Sequence, residues 1–241
     1  MKMQAIILAG GKGTRLQPYT TVLPKPLMPV GDYPILEILI RQLARDGFAK
    51  IVLTIGYHVE LFQALFKDGE KWGIDIEYSL EDKPLGTIGP LKQIDGLEDD
   101  FLVINGDTLT DLNFTMLCEL HEKEKNTMTI ATKKRSVKVN YGVIEDGGDN
   151  CLVGYKEKPV IEYNVAMGVY VLSKGLLDLI PPDRRYDFPD LVHEMVRKGM
   201  KIRCFNYEGY WLDIGRPEDY QIAVEQFSQN KKMFLGEGNE V

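Results

Sequence analysis

The chain has 241 residues, 44% of them hydrophobic and 27% charged, and a formal net charge of −7. This length and composition predict a globular protein with a substantial core. The negative charge argues against a nucleic-acid-binding protein, which needs a basic face. No apolar run has the length of a membrane span, and no secretory signal is recognised. Cys118, Cys151 and Cys204 lack the spacing of a disulfide framework or zinc site, so we expect a cytoplasmic protein.

The first half of the chain alternates short apolar runs with helical patterns. Strands are predicted at 4–9, 51–55, 74–79 and 101–105, and helices at 34–46, 59–66 and 86–94. Glycines and prolines between positions 10 and 32 predict a loop. Strands separated by helices of this length predict an α/β fold, with a mostly parallel sheet flanked by helices.

After Asn113 the pattern becomes strand-rich, with few helices between the strands. Strands are predicted at 127–132, 141–145, 151–156 and 165–172, helices at 188–198 and 217–227, and a frayed end at 236–241. We therefore predict a single domain over 1–241, made of a first lobe (1–112), a smaller mixed-β lobe (113–230) packed against it, and a tail (231–241). His58, His121 and His193 are expected in or near surface helices.

The strongest motif is the glycine-rich loop after the first strand, Leu8-Ala9-Gly10-Gly11-Lys12-Gly13-Thr14-Arg15-Leu16. Glycines expose backbone N–H groups to a phosphate chain, and Arg15 and Lys25 add positive charge. Leu16 replaces the third glycine of a dinucleotide fingerprint, and the GxxxxGK[ST] loop is absent. The alternative is a surface turn with solvated cations. With Lys25 set in Pro24-Lys25-Pro26, the loop predicts nucleoside-triphosphate binding.

GGxGTRL followed by PKP resembles the signature of the sugar-1-phosphate nucleotidyltransferases, also called NDP-sugar pyrophosphorylases. The resemblance extends from Met3 to about Tyr220. It implies a Rossmann-like, GT-A-like mixed α/β fold, with 1–112 binding the nucleotide and 113–230 the sugar. It also implies Mg²⁺-dependent transfer of a nucleotidyl group from an NTP to a sugar 1-phosphate, with release of pyrophosphate.

Two carboxylates match the family's magnesium ligands. Asp107 follows a predicted strand, and a carboxylate there faces the ligand crevice of an α/β sheet. Asp213, in Trp211-Leu212-Asp213, is the second. Two oxygen ligands plus substrate phosphates suit Mg²⁺, which keeps several waters. Nearby Asp111 is interpreted as a turn or cap residue.

The remaining site residues follow from the resemblance. Glu157-Lys158-Pro159 resembles the EKP motif, whose glutamate holds sugar hydroxyls and whose lysine meets the sugar phosphate. The predicted catalytic residues are Arg15, Lys25 and Lys158. The predicted nucleotide-binding residues are Leu8, Gly10, Gly11, Gly13, Thr14, Arg15, Glu81, Pro84, Gly86 and Thr87. The predicted sugar-binding residues are Asn105, Gly106, Tyr141, Gly142, Glu157, Asn164 and Gly168.

The prediction of which nucleotide base is bound rests on Glu81. Thymidylyl- and uridylyltransferases commonly have glutamine there, whereas one carboxylate can accept both N1–H and N2–H₂ of guanine. Positions 84–91 also look like those of mannose-1-phosphate guanylyltransferases, so GTP and a mannose-type sugar are favoured. These enzymes usually carry Asn-Ala-Gly where this chain has Ala166-Met167-Gly168. Either the sugar is held differently, for example by Asn164, or the sugar is not mannose.

Other functions stay open at this point. They are a thymidylyl-, uridylyl- or cytidylyltransferase acting on glucose 1-phosphate or another sugar phosphate, a phosphocholine cytidylyltransferase, and a non-catalytic nucleotide-sugar sensor. A glycosyltransferase is disfavoured because Asp107 is followed by Thr108-Leu109 instead of forming Asp-x-Asp. A homo-oligomer is also left open.

Overall fold

A central sheet of seven strands organises the computed structural model, which describes residues 4–11 and 13–236. In chain order, the strands of the described residues are β1 (Gln4–Leu8), β2 (Pro29–Val30), β3 (Tyr33–Pro34), β4 (Lys50–Ile55), β5 (Asp75–Leu80), β6 (Asp100–Asn105), β7 (Thr108–Thr110), β8 (Met128–Lys138), β9 (Val143–Asp146), β10 (Leu152–Lys156), β11 (Val160–Ser173), β12 (Ile202–Tyr207) and β13 (Trp211–Asp213). The central sheet has the order β12-β8-β11-β6-β1-β4-β5, and the other strands form three two-stranded sheets.

The sheet is mixed and mostly parallel. Its parallel pairs are β1–β4, β1–β6, β4–β5 and β8–β12, whereas β11 runs antiparallel to both β6 and β8. The central strand β1 reads Gln-Ala-Ile-Ile-Leu because both of its faces are covered, which favours a continuous apolar run over alternation. The predicted fold class is confirmed.

Helices cover both faces of the sheet. They are α1 (Ile35–Arg45), α2 (Val59–Phe66), α3 (Phe114–Glu124), α4 (Phe188–Arg197), α5 (Pro217–Gln229) and α6 (Lys231–Leu235). Apolar residues of α1, α2 and α3 pack on one face, and those of α4 pack on the other. The helix predicted at 86–94 is only a 3-10 segment, Gly89–Gln93, with a proline in its first turn. Within the described residues, no helix is both long and apolar enough to cross a bilayer.

The second half of the chain differs from its prediction. Strands β8, β11 and β12 extend the same sheet as β1, β4 and β6, so the sheet continues across the lobe boundary at 112/113. Helix α3 was not predicted because its apolar stripe is weak. It begins where the Asn113 side chain accepts a hydrogen bond from the Met116 N–H at 3.0 Å.

The predicted tail at 231–241 begins inside the packed structure. Helix α6 buries Phe234 and Leu235 against α1 and α5, because its apolar residues complete a cluster that also contains Phe227. Positions 231–235 are therefore not a tail. Of the frayed end predicted at 236–241, residues 237–241 lie outside the described residues.

His121 lies on helix α3 and is buried more deeply than expected. It is 1% exposed on the inner side of α3, between that helix and the sheet. Its Nδ1 lies 2.9 Å from Thr129 Oγ1, and its Nε2 lies 3.2 Å from Ser173 Oγ and 3.3 Å from Asp100 Oδ1. Burial lowers the pKa of His121, and the opposing attraction of Asp100 is the smaller effect.

We therefore expect the protein to lose stability in mild acid. Because the folded-state pKa of His121 is below its ordinary value of 6.5, the unfolded chain binds a proton first as the pH falls. The stabilisation is complete above pH ~6.5 and decreases below it, by at most about 1.4 kcal/mol per pH unit. Urea unfolding between pH 5 and 8 measures this decrease. It should become smaller in His121→Gln, and an equal decrease in that variant would contradict the assignment.

Candidate active site

A cleft opens at the edge of the sheet where β1 and β6 end. Its larger part has a volume of about 660 Å³, and an adjoining part of about 470 Å³ runs along the glycine loop. Leu8, Gly11, Arg15, Asp107 and Arg185 line both parts. The carboxyl ends of parallel strands are where α/β folds bind their ligands.

Packing and backbone geometry explain two of the glycines in the loop. Gly10 lies against Glu81, and a Cβ at position 10 would overlap the Oε1 atom of that carboxylate. Gly13 has φ +61° and its carbonyl accepts a hydrogen bond from Thr20 Oγ1 at 2.7 Å. The Tyr57 hydroxyl donates to the Gly11 carbonyl at 2.9 Å. Lys12 lies outside the described residues.

Lys25, Asp107 and Asp213 form one charged cluster. Strand β13 pairs with β7 so that Asp213 faces Thr108, the residue after Asp107, and Ile214 N–H donates to the Asp107 carbonyl at 3.1 Å. The buried Lys25 ammonium donates to Asp107 Oδ2 and lies 4.0 Å from Asp213 Oδ1. The structure therefore brings together both predicted metal ligands and one predicted catalytic cation.

The charge of this cluster is incompletely neutralised. Burial raises the pKa of Asp213, the Asp107 charge raises it further, and Lys25 and Arg15 act in the opposite direction. Asp107 Oδ1 is buried without a hydrogen-bond partner among the described residues. An unpartnered carboxylate oxygen next to a second carboxylate fits a hard divalent cation such as Mg²⁺. Within the described residues no cluster of three or more potential metal ligands occurs, so the protein would supply two.

Glu81 directly follows β5 and lines the larger part of the cleft. Its Oε2 accepts the Leu85 N–H at 3.1 Å, while Oε1 lies beside Gly10. Burial raises the pKa of Glu81. Leu8, Gly10, Pro84, Gly86 and Thr87, which were predicted with it, also line this part. Gly13 and Thr14 line the part along the loop.

Arg185 and Asp187 also line the cleft, and sequence reasoning missed both. Asp187 Oδ1 accepts the Thr87 N–H at 3.0 Å, and Oδ2 accepts Arg185 Nε at 2.9 Å. Phe188 N–H donates to Thr87 Oγ1 at 2.7 Å. In the sequence, Asp187 followed by Phe188-Pro189 indicates only the start of a helix. No local signal links it to a segment one hundred residues earlier.

Three predicted sugar residues meet at the end of β6. Asn105 lines the larger part of the cleft, and Gly106 N–H donates to the Leu8 carbonyl at 3.0 Å. Gly168 has φ +73°, and a Cβ there would lie 2.5 Å from Asn105 Nδ2. The glycine thus leaves space for the asparagine amide at the cleft.

The other predicted sugar residues and Lys158 lie away from the cleft, Asn164 on β11 and the rest in the connections that flank β9 and β10. Tyr141, Gly142, Glu157 and Asn164 are absent from the cleft lining formed by the described residues, and so is Lys158. Glu157 Oε2 accepts the Tyr155 hydroxyl at 2.5 Å, and Lys158 Nζ lies 3.7 Å from Glu157 Oε1. The structure does not bring Lys158 together with Lys25 and Asp107, and its catalytic role stays a prediction.

Comparison with known proteins now identifies the family. The model of the nucleotidyl transferase family matches residues 4–230. The chain belongs to this family. A UTP–glucose-1-phosphate uridylyltransferase of Synechocystis is 33% identical over 92% of this chain and 62% of its own length. A mannose-1-phosphate guanyltransferase of Yarrowia lipolytica is 37% identical over 90% of this chain, again covering 62% of the relative.

Other relatives match over nearly their whole length. A D-glycero-α-D-manno-heptose 1-phosphate guanylyltransferase of Campylobacter jejuni is 33% identical over 90% of this chain and 97% of its own. The solved structure of HddC from Yersinia pseudotuberculosis, also determined with GMP-PN, has a TM-score of 0.72 at 27% identity, covering 93% of this chain and 99% of that one. A Bacillus anthracis structure has a TM-score of 0.75 at 23% identity, covering 99% and 97%, which shows the shared fold.

Proposed function

We propose that this protein is a sugar-1-phosphate guanylyltransferase, which forms a GDP-sugar and pyrophosphate from GTP and a manno-configured sugar 1-phosphate. The Yarrowia and Campylobacter relatives are named as guanylyl-transferring enzymes, and both names contain a manno sugar. The Yersinia structure holds a guanine nucleotide analogue. The Synechocystis relative supports the uridylyl alternative.

The observation that carries the proposal is the Glu81 carboxylate in the cleft. Among the described residues, the Glu81 carboxylate has no cationic partner within 4.0 Å, and it accepts one hydrogen bond, from the Leu85 N–H. A half-buried carboxylate accepts hydrogen bonds and donates none when ionised. Guanine presents two adjacent donors on one edge, whereas uracil and thymine present a donor between two acceptors. Glu81 therefore favours guanine.

The proposed chemistry needs no general base, because the attacking sugar-phosphate oxygen is already an anion. The protein has to hold two polyanions together and stabilise charge on the α-phosphate and the departing pyrophosphate. In this proposal Gly11, Gly13 and Arg15 hold the triphosphate by backbone N–H groups and a guanidinium. Mg²⁺ held by Asp107 and Asp213 would supply positive charge to the reacting phosphates. Lys25 positions the carboxylates, and Lys158 is proposed to meet the sugar phosphate.

A substrate matrix tests the proposal. GTP, ATP, UTP, CTP and dTTP are each combined with mannose, manno-heptose and glucose 1-phosphates and with phosphocholine, in the presence of Mg²⁺, and pyrophosphate release is measured. We expect GTP with a manno sugar to be fastest. Faster turnover with UTP or dTTP would establish the uridylyl or thymidylyl alternative. Turnover with phosphocholine would establish the choline alternative, and binding of a GDP-sugar without turnover would indicate a sensor.

Replacing Glu81 with glutamine should change the preference among nucleotides. The amide keeps one acceptor but places a donor against the donors of guanine, a mismatch of about 1–3 kcal/mol. We expect kcat/KM for GTP to decrease roughly 5- to 150-fold, and the ratio of UTP to GTP turnover to increase. Glu77→Gln is the matched control, because Glu77 lies on the same strand β5 and pairs with Lys50 outside the cleft. An unchanged ratio in Glu81→Gln would refute the base assignment.

A further inference from the structure

Tyr57 lies in the turn that joins strand β4 to helix α2, and it lines the larger part of the cleft. Strand β4 ends at Ile55 and α2 begins at Val59, so the turn consists of Gly56, Tyr57 and His58. His58 has φ +53°, a conformation that residues other than glycine rarely adopt. Strained residues of this kind are frequent at ligand-binding sites, so the turn is a candidate for a functional part of the cleft.

The Tyr57 hydroxyl bonds to the middle of the glycine loop, where it donates to the Gly11 carbonyl at 2.9 Å. The neighbouring glycines are held in other ways. Gly10 packs against Glu81, and the Gly13 carbonyl accepts a side-chain hydrogen bond. Gly11 is exposed, and among the described residues a Cβ there would meet no atom within 4 Å apart from its chain neighbours. Within the same residues, the Tyr57 hydroxyl is the one hydrogen-bond partner of its carbonyl.

This hydrogen bond restrains the part of the loop that packing leaves free. Because a peptide unit is planar, a held carbonyl fixes the plane of the unit to which it belongs. In the proposed function, N–H groups of this loop hold the triphosphate, and a loop that is already ordered loses less entropy when it does so. Burial raises the pKa of Tyr57, so the hydroxyl stays protonated and remains a donor at neutral pH.

The ring of Tyr57 borders the part of the cleft proposed to receive the base. Gly10 and Gly56 pack backbone against backbone, and a Cβ on Gly56 would lie 3.2 Å from the Gly10 carbonyl oxygen. Both glycines line the larger part of the cleft with Glu81. Glu81 lies against the first glycine, and Tyr57 follows the second. The surface between them is bare backbone, which a planar base can approach closely.

We propose that Tyr57 is a positioning residue for the nucleotide, whose hydroxyl holds the glycine loop ready for the triphosphate and whose ring contacts the base. The inference rests on the proposed function, because it takes the cleft to bind a whole NTP. Tyr57 has no part in proton transfer in this proposal, since the attacking oxygen is already an anion. Its loss should therefore affect KM for the nucleotide more than kcat.

Tyr57→Phe removes the hydroxyl and keeps the ring. We expect KM for GTP to increase roughly 2- to 12-fold with kcat nearly unchanged, because a restraint on the loop stabilises the ground state and the transition state alike. Calorimetry with a non-hydrolysable GTP analogue should show the same loss of affinity. The inhibition constant of guanosine, which has no phosphate, should not change.

Tyr78→Phe is the matched control. The Tyr78 hydroxyl also donates to a backbone carbonyl, that of Lys67 at 2.5 Å, and Tyr78 is absent from the described lining of the cleft. This variant should keep the wild-type KM for GTP and the wild-type affinity for both ligands. A loss in Tyr57→Phe alone therefore reports the contact with the glycine loop, and not the removal of a tyrosine hydroxyl in general.

Tyr57→Ala removes the ring as well as the hydroxyl. We expect it to weaken inhibition by guanosine about 5-fold or more, because an aromatic contact with the base is lost. The two variants thus separate the contact with the loop from the contact with the base. Unchanged guanosine inhibition in Tyr57→Ala would overturn the role proposed for the ring.

Equal KM and equal analogue affinity in wild type and Tyr57→Phe would overturn the role of the hydroxyl and leave the guanylyltransferase proposal standing. If the wild type instead binds the analogue of another nucleotide and not that of GTP, the guanine proposal fails. The same comparison with that nucleotide then tests the hydroxyl, because the Gly11 contact involves the triphosphate loop and not the base.

Hydrogen exchange tests the loop contact directly. Without nucleotide, the peptide over residues 8–16 should exchange faster in Tyr57→Phe than in wild type or Tyr78→Phe, and equal exchange would contradict the contact. If Tyr57→Phe does not fold, the wild type alone decides. The GTP analogue should slow exchange over residues 8–16 and 56–59 together, and an absence of protection over 56–59 would overturn the proposal.

Discussion

Replacing Asp107 with alanine should lower the rate of pyrophosphate release about 10²-fold or more, the largest effect that we expect from a single substitution. Asp107 lies between strands β6 and β7, and β7 pairs with β13, which carries Asp213. The Oδ1 atom of Asp107 is buried without a partner among the described residues, and its Oδ2 accepts the Lys25 ammonium. Alanine removes both functions.

The alanine variant also leaves the buried Lys25 without its nearest carboxylate, which destabilises the fold. Asp107→Asn separates the two effects, because it keeps the shape and one acceptor but removes the charge. We expect it to unfold near the wild-type urea midpoint and still to lose Mg²⁺ affinity by calorimetry. Asp111→Asn is the control. Asp111 accepts the Tyr210 N–H at 2.7 Å and the Tyr207 hydroxyl at 2.5 Å, outside the cleft. Near-wild-type turnover in Asp107→Asn would contradict the role of Asp107.

The sequence predicted the parts of the fold and site that depend on local patterns. Continuous apolar runs identified the parallel strands β1, β4 and β6, because both faces of such strands are covered. Asp107 comes just after β6, and this position alone predicted that it lies in the cleft. The glycines at 10 and 13 were recognised by their spacing directly after the first strand, and the structure adds that Gly10 packs against Glu81 and Gly13 has φ +61°.

Features created by long-range pairing could not be predicted in this way. Strand β13 has three residues and pairs with β7 a hundred residues earlier, so no periodicity shows it. The Asp187 contact with Thr87 has the same origin. The continuity of the sheet through β8 and β11 was missed because strand-rich sequence after 113 is equally typical of a separate β lobe.

The difference between local patterns and long-range pairing also explains which site residues were not predicted correctly. Most of the correctly predicted residues at the cleft follow the ends of β1, β5 and β6, whose position a parallel sheet dictates. Tyr141 lies between β8 and β9, and Lys158 lies between β10 and β11. The orientation of these segments relative to the cleft follows from no local pattern.

Arg15→Ala should have the second largest effect, a loss in kcat/KM for GTP on the order of 10²-fold. Arg15 lines both parts of the cleft, and among the described residues it forms no ion pair within 4.0 Å, whereas Lys25 is already bound to Asp107. Among the loop cations that the structure describes, its guanidinium is thus the one that is free to meet a triphosphate. Arg15→Lys should recover only part of the loss, because an ammonium cannot form the paired hydrogen bonds of a guanidinium.

Steady-state kinetics with varied GTP measure the decrease in kcat/KM. Calorimetry with a non-hydrolysable GTP analogue shows how much of this decrease is due to weaker binding. Arg197→Ala is the matched control, since Arg197 is an exposed arginine on α4 that pairs with Glu194 at 3.7 Å outside the cleft. Of these two arginines, Arg15 lines the cleft and Arg197 does not. Equal loss of activity in both alanine variants would therefore mean that the total charge of the protein, and not a contact with the phosphates, causes the loss. Selective loss in Arg15→Ala, with a folded protein and weaker analogue binding, is the result that triphosphate binding at the glycine loop requires.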